Sequence, residues 1–473
     1  MIQRRPVLAT VVSTGIILAL AAPALGMKLN FPDESSQARG TMGYASYATM
    51  VRGFGPGFDA PVIVAATPGR APGYGGRMRE PGSLPFPDRP AGSDCLPGLD
   101  HIVILMKENH SYDNYFGMLD RGDGFTLGPD GNPTNSNPDS RGNQVRAHHL
   151  GLPFNPSLHL SQTWNSSHQQ WNHGAMDGFV TTTNSTDPMG YLNGTDLPWY
   201  YGFARAYGIG DRFFSSVLAQ TFPNRRFLQA GTAAGLVSTS IPNPFERPPA
   251  GGLIFDQLDA HGIGWANYFV EVPEVGLWPR NLLKYRDHLH DIGDFYNDCR
   301  EGRLPPVTLL TTEVLLASEG EYQDDQVGES FTASLFEAAA AGPQWQHMLF
   351  IINWDEGGGF YDHVPPPAAV PPDDIPPAIH VPPDEPGGYD RYGFRVGCLV
   401  GSPFAKPGHV SSVVYDHTSI LATIEHKWNL PALTRRDAAA NPLTDFIDLS
   451  KPPLFKTPAP LPRPAIWPFA GVK

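Results

Sequence analysis

Asp355 and Glu356 stand side by side just beyond an apolar run, residues 348–353 (MLFIIN), and three glycines follow them. Continuous hydrophobic runs of this length form strands buried in parallel sheets, and glycines beyond them let the backbone turn sharply. Two carboxylates at such a strand end offer hard oxygen ligands to a divalent cation, although this stretch alone also fits a solvated acidic turn. A second run, residues 101–106 (HIVILM), leads through Lys107 to Glu108 and Asn109. Because both pairs take the same place relative to their strands, Glu108, Asn109, Asp355 and Glu356 are the candidate metal ligands. A cation held there would polarise a phosphoryl oxygen and lower the pKa of a nearby hydroxyl nucleophile. Thr221 is the candidate for that hydroxyl. Pro223 marks the first turn of a helix, whose unpaired N–H groups attract phosphate oxygens, while an ordinary capping threonine is the competing reading. Arg225 and Arg226 follow one turn on; either can face phosphate, and at least one is expected at the solvated surface.

Several other chemistries are excluded by motif. The chain has no G-x-S-x-G elbow, no H-E-x-x-H helix, no G-x-x-x-x-G-K-[ST] loop and no G-x-G-x-x-G after a strand. The elements that must position the candidate residues alternate between strand and helix, which predicts an α/β fold. Strands are expected at 101–106, 213–217, 264–271, 306–311, 348–353 and 395–401, with helices from about Pro198, from near Pro223, over 326–341 and from Thr418 to about Trp428. Between the first strand and the Pro198 helix lie a turn-rich loop at 120–143 and a segment dense in histidine, with His148, His149, His159, His168 and His173. A proline-dense loop at 364–388 is expected to form a wall or lid beside the site.

With 473 residues the chain fits one catalytic unit with extensions, and 50 Gly and 50 Pro require a large share of loop. Residues 1–26 place Arg4 and Arg5 before an apolar run that closes on small residues. This predicts a secretory signal with weak twin-arginine character, or alternatively an uncleaved anchor, and a periplasmic, cell-surface or secreted destination. Residues 27–97 are rich in Gly and Pro and predict a linker or a strap; residues 98–450 are the catalytic unit and 451–473 a Pro-rich tail. The formal charge of −14 becomes −16 without residues 1–26, which hold two arginines and no acid, so non-specific nucleic-acid binding is excluded. Cys95, Cys299 and Cys398 allow at most one disulfide and no C-x-x-C zinc site. No obligate protein partner is evident.

The stretches HIVILMKENHSYDNYFG, WNSSHQQWNHGAMDGF, TFPNRRF, GRLPPV, WDEGGGFYDHVPPP, YGFRVGCLVGSPFAKPG and DHTSILATIEHKW together resemble the bacterial phosphoesterase family. That family contains phospholipases C and an acid phosphatase, and is related to plant non-specific phospholipases C. The resemblance implies an alkaline-phosphatase-like three-layer sandwich with a mostly parallel central sheet and long Pro/Gly-rich loops. It implies a divalent metal (Ca, Mg, Mn or Zn) on Glu108, Asn109, Asp355 and Glu356, with Thr221 as the phosphorylated nucleophile. The implied substrate is a phosphate ester, with phospholipid at a membrane surface as one form. Two family histidines are missing, since Gln162 stands two residues before Trp164, and Glu319-Gly320-Glu321 replaces Glu-His-Pro. His168, His159 and His288 are the candidate replacements in catalysis, while Asp362-His363 and Asp416-His417 match family positions with a loop-orienting role. A broad-specificity acid phosphomonoesterase is the alternative within chemistry, and an inactive surface-binding protein of the same fold is the alternative outside it.

Overall fold

β1 (His101–Lys107) and β6 (Met348–Trp354) are almost wholly buried, which is why both read as unbroken apolar runs. They pair in parallel, with His101 opposite Met348 and Lys107 opposite Trp354. This register decides the site, because the residues that follow each strand, Glu108 and Asp355, leave the sheet side by side. The computed structural model describes residues 79–467 apart from 152, 155–156, 313–316 and 321. The expected signal at 1–26, the linker as far as residue 78 and the tail beyond 467 lie outside the described residues.

Six further strands complete the sheet: β2 (Gly208–Gly210), β3 (Trp265–Phe269), β4 (Leu289–Asp291), β5 (Val307–Thr311), β7 (Cys398–Gly401) and β8 (His409–Ser411). Their order is β8-β2-β7-β6-β1-β5-β3-β4, and β7 alone runs against its neighbours. The fold is therefore α/β with a mostly parallel central sheet. Helices α1 (Tyr112–Phe116), α3 (Pro198–Ala206) and α5 (Asp325–Ala341) bring aromatic side chains onto one set of sheet residues. Phe336 meets Phe350 edge-on, and Tyr115, Tyr200 and Phe116 surround Trp354. Helix α4 (Thr221–Ala230) packs separately against α6 (His417–Trp428). α2 (Trp164–Trp171) carries the histidine-rich segment.

The expected strand at 213–217 is absent. Phe213 and Phe214 make only single bridges to Tyr415 and Arg395. Further on, the backbone leaves the ladder because the Asn224 side chain takes over the N–H and C=O of Val217. The other expected strands are present: 101–106 and 348–353 each run one residue further, and the rest are shorter, for example Cys398–Gly401 within 395–401.

Residues 79–97 are not a free linker. Gly82 and Ser83 exchange hydrogen bonds with Ala432, while Gly92 and Cys95 donate to the carbonyls of Trp428 and Lys427. Asn429, left-handed at the end of α6, binds Phe86 N–H through its carbonyl and gives its amide to Phe86, Arg89 and Pro90. At the other terminus, Trp345 Nε1 donates to Phe455 O and Ala459 N–H to Tyr207. The three cysteines are free thiols. Among the described residues, no helix is long and apolar enough to cross a membrane.

Candidate active site

Asp355 is fully buried at the end of β6. Its Oδ1 accepts the backbone N–H groups of Asn109 (3.2 Å) and Glu356 (2.7 Å), which ties the two strand ends together. Asn109 is left-handed (φ 69), and the glycine turn comes back over it. A Cβ on Gly358 would stand 1.9 Å from the Asn109 carbonyl oxygen, and Gly358 has φ +64, so only glycine fits there. The Gly358 N–H donates to Glu356 Oε2 at 2.8 Å and sets the orientation of that carboxylate.

The start of α4 is fastened onto these acids. Asn224 accepts from Val217 N–H and donates to the carbonyls of Val217, Ala219 and Gln220, fixing the turn that leads into Thr221. Gln220 does not cap the helix with its side chain; its Oε1 accepts the Thr239 N–H instead. One turn on, Arg225 reaches into the acid cluster, with Nε 2.9 Å from Asp355 Oδ2, Nη1 2.8 Å from Glu274 Oε2 and Nη2 3.3 Å from Glu108 Oε1. Arg225 and Arg226 are both buried, which corrects the expectation that one of them lies at the solvated surface. Arg226 pairs with Glu246 and lies over the Trp278 ring. What makes burial of both possible is a carboxylate for each guanidinium.

One guanidinium thus serves three buried or largely buried acids, with Glu356 beside them. Burial, against the pull of Arg225, pushes Glu108 up to about 7, and burial likewise raises Asp355 and Glu274. The surplus of negative charge and the oxygen donors of Glu108, Asn109, Asp355 and Glu356 fit a hard divalent cation. Among the described residues, the acid and histidine cluster with ligand atoms within 4.8 Å of one another is a different one, Asp113, Asp362 and His363. Here, though, Arg395 donates to both acids at 3.0 and 2.9 Å. Burial opposes the charge on His363, yet its 2.7 Å hydrogen bond to Asp113 raises its pKa to about 9. Through Arg395 and Asp113 this cluster also braces the loop after β6.

The three candidate histidines fare differently. His288 stacks on Trp265 at 4.1 Å and bonds the Trp265 carbonyl, at the first residue of β3. Trp265 aligns with Val307 and Ile102 at the N-terminal edge of the sheet. A five-residue strand rising about 3.3 Å per residue separates His288 from the acid edge, so the fold does not bring it to the other candidate residues. His168 lies between Trp164 and the backbone of Gly387, and burial lowers its pKa. Its Nδ1 is 2.8 Å from the Trp164 carbonyl one turn back, while Trp164 Nε1 and the Asn165 side chain hold the proline-dense loop at Glu385. His159 is exposed, and its N–H donates to Asp187.

Of two further residues at the site, one carried no signal in the chain. Glu274 arrives from the loop after β3 as the third partner of Arg225, in a stretch without a motif. His417 opens α6 with Nε2 3.0 Å from the Trp354 carbonyl and Nδ1 3.1 Å from Ser216 Oγ; burial lowers its pKa to about 4 and keeps it neutral. The Asp-His pair marked its position, but only the fold brings it beneath the β6 end.

Carboxylates and a guanidinium gathered at the C-terminal edge of a mostly parallel sheet stand where α/β enzymes carry their sites. The model of the phosphoesterase family matches residues 99–431. The chain belongs to the phosphoesterase family, and it is a phosphoric ester hydrolase. It is 32% identical over 403 residues to non-specific phospholipase C4 of Arabidopsis thaliana, covering 76% of this chain and 74% of the relative. It is 29% identical over 430 residues to phospholipase C A of Mycobacterium tuberculosis, covering 78% and 82%. A solved structure of a protein in the alkaline phosphatase superfamily from Vibrio parahaemolyticus aligns over 77% of this chain and 72% of that one, with 10% identity and a TM-score of 0.34.

Proposed function

We propose that this protein is a secreted, metal-dependent phosphoric-ester hydrolase of phospholipase C type that acts on phosphodiesters through a covalent phosphothreonine on Thr221. The observation that carries this is the fastening of the Thr221 helix to both acid-bearing strand ends by Arg225, through Asp355 at 2.9 Å and Glu108 at 3.3 Å. A hydroxyl so fixed needs little reorganisation to meet a phosphoryl group at the same edge. Thr221 Oγ attacks phosphorus; the P–O bond to threonine forms as the bond to the leaving alcohol breaks, and the proton lost by the threonine hydroxyl balances the one that the alcohol oxygen takes up. Water then attacks phosphorus, breaks the threonine ester and frees the phosphorylated head group. The uncapped start of α4 faces an anion favourably through its backbone dipoles. Glu108, Asn109, Asp355 and Glu356 would hold the divalent cation, whose chemistry is to neutralise charge on the phosphoryl oxygens. Arg225 keeps Asp355 and Glu108 apart from each other's charge in the meantime. Export rests on residues 1–26, and the mature chain should begin near Met27.

The test is turnover of a chromogenic phosphocholine diester and of the matching monoester by purified protein, with and without chelator, beside Thr221→Ala. Diester turnover lost with chelator, restored by one of Ca, Mg, Mn or Zn, and absent in Thr221→Ala is the expected result. Monoester turnover alone would point to an acid phosphatase. No turnover of either with any metal would leave only a binding protein.

A further inference from the structure

Glu274 stands apart from the four candidate ligands. It reaches the site from the loop after β3, not from the end of β1 or β6, and it meets the acids there through Arg225. Its backbone is fixed from two sides. The Glu274 N–H donates to Thr311 Oγ1 at 3.2 Å and the Val275 N–H to Asn267 Oδ1 at 3.4 Å, while the Asn267 amide donates to the same threonine oxygen at 2.9 Å. From the other side, Gln229 Nε2 donates to the Glu274 carbonyl at 2.9 Å. Gln229 lies one turn after Arg225 on α4, so one helix face clamps both the backbone and the carboxylate of Glu274.

The carboxylate itself is buried, with Oε2 2.8 Å from Arg225 Nη1. Among the described residues its Oε1 has no hydrogen-bond partner, and Arg225 is its one ion-pair partner. The guanidinium is thereby divided: Nη1 faces Glu274, while Nε and Nη2 face Asp355 and Glu108 at 2.9 and 3.3 Å. A cation drawn to Glu108 and Asp355 meets the positive charge of Arg225 in a site largely shut off from water, where like charges repel strongly. A carboxylate on the remaining nitrogen, outside the ligand set, offsets that repulsion. We propose that Glu274 is a positioning residue that sets the affinity of the site for its divalent cation, supplying the counter-charge of Arg225 so that Glu108 and Asp355 are left to the metal. The proposal rests on reading those two acids as cation ligands.

Calorimetric titration of the metal-free full chain with Ca2+, Mg2+, Mn2+ and Zn2+ in turn tests it without turnover. Two variants separate charge from geometry. Glu274→Gln keeps an oxygen for Arg225 Nη1 and removes the charge; Glu274→Asp keeps the charge and shortens the arm. For a cation that the wild-type protein binds, Kd should rise at least about tenfold in Glu274→Gln and stay within roughly threefold in Glu274→Asp. A rise in Glu274→Asp equal to or above that in Glu274→Gln, or no rise in either, overturns the assignment and leaves the ligand reading standing. Urea denaturation of the metal-free proteins reads the fold separately, and a Glu274→Gln protein without a cooperative transition assigns the residue to the fold and overturns the proposal too. A wild-type protein that binds none of the four cations overturns the ligand reading, and this assignment with it.

Discussion

At the scale of single residues, Arg225 holds the site together. Its guanidinium is the counter-charge for Asp355, Glu274 and Glu108, and burial already raises the pKa of all three. Removing one partner of a buried ionic network leaves charges without compensation, which costs more than the net worth of the pair. Arg225→Met should therefore destabilise the fold by about 3–5 kcal/mol in urea denaturation, while Arg225→Lys, which cannot reach three acids with a planar fork, should recover only part of it. His363 makes a prediction about pH. Burial opposes its charge, but the Asp113 hydrogen bond raises it from 6.5 to about 9. Its contribution is therefore fully present below about pH 6.5 and lost as pH rises through 9. Between those values the wild-type protein should lose on the order of 2 kcal/mol more stability than His363→Gln does, measured as denaturation midpoints across pH.

At the scale of elements, the parallel register of β1 and β6 places Glu108 beside Asp355, and the Asn224 clip fixes the turn that leads into Thr221. The first was legible in the chain, since two apolar runs ending on acids imply equivalent strand ends. The second was legible only in part. Pro223 announced a helix, but the clip that sets its start comes from an asparagine that propensity rules read as unremarkable. Asn224→Ala leaves buried backbone groups at Val217 and Ala219 without partners; it should cost roughly 2–4 kcal/mol and lower kcat well beyond what the lost stability explains. The histidines show where sequence spacing stops being informative. His288 sits near acids in sequence, yet the direction of β3 sends it to the wrong edge. Nothing in local pattern reports which edge a loop residue reaches.

At the scale of the whole molecule, chain segments far from the sheet are part of the enzyme body. The side chain of Asn429 holds three residues of the segment 79–97 against the end of α6. Asn429→Ala should free that segment, and limited proteolysis within 79–97 should speed up roughly tenfold with little change in turnover. The composition of this segment fits either a linker or a strap, because Gly and Pro determine flexibility in isolation and not what the backbone bonds to once folded. The central claim is that Thr221 is the nucleophile at this acid edge. It is tested most directly by acid-quenching a metal-loaded reaction with a phosphocholine diester within one turnover and mapping the modified peptide by mass spectrometry. A phosphocholine adduct on Thr221, present in the wild-type protein and absent in Thr221→Ala together with turnover, is the predicted result. An adduct on another residue, or turnover that persists in Thr221→Ala, would contradict it.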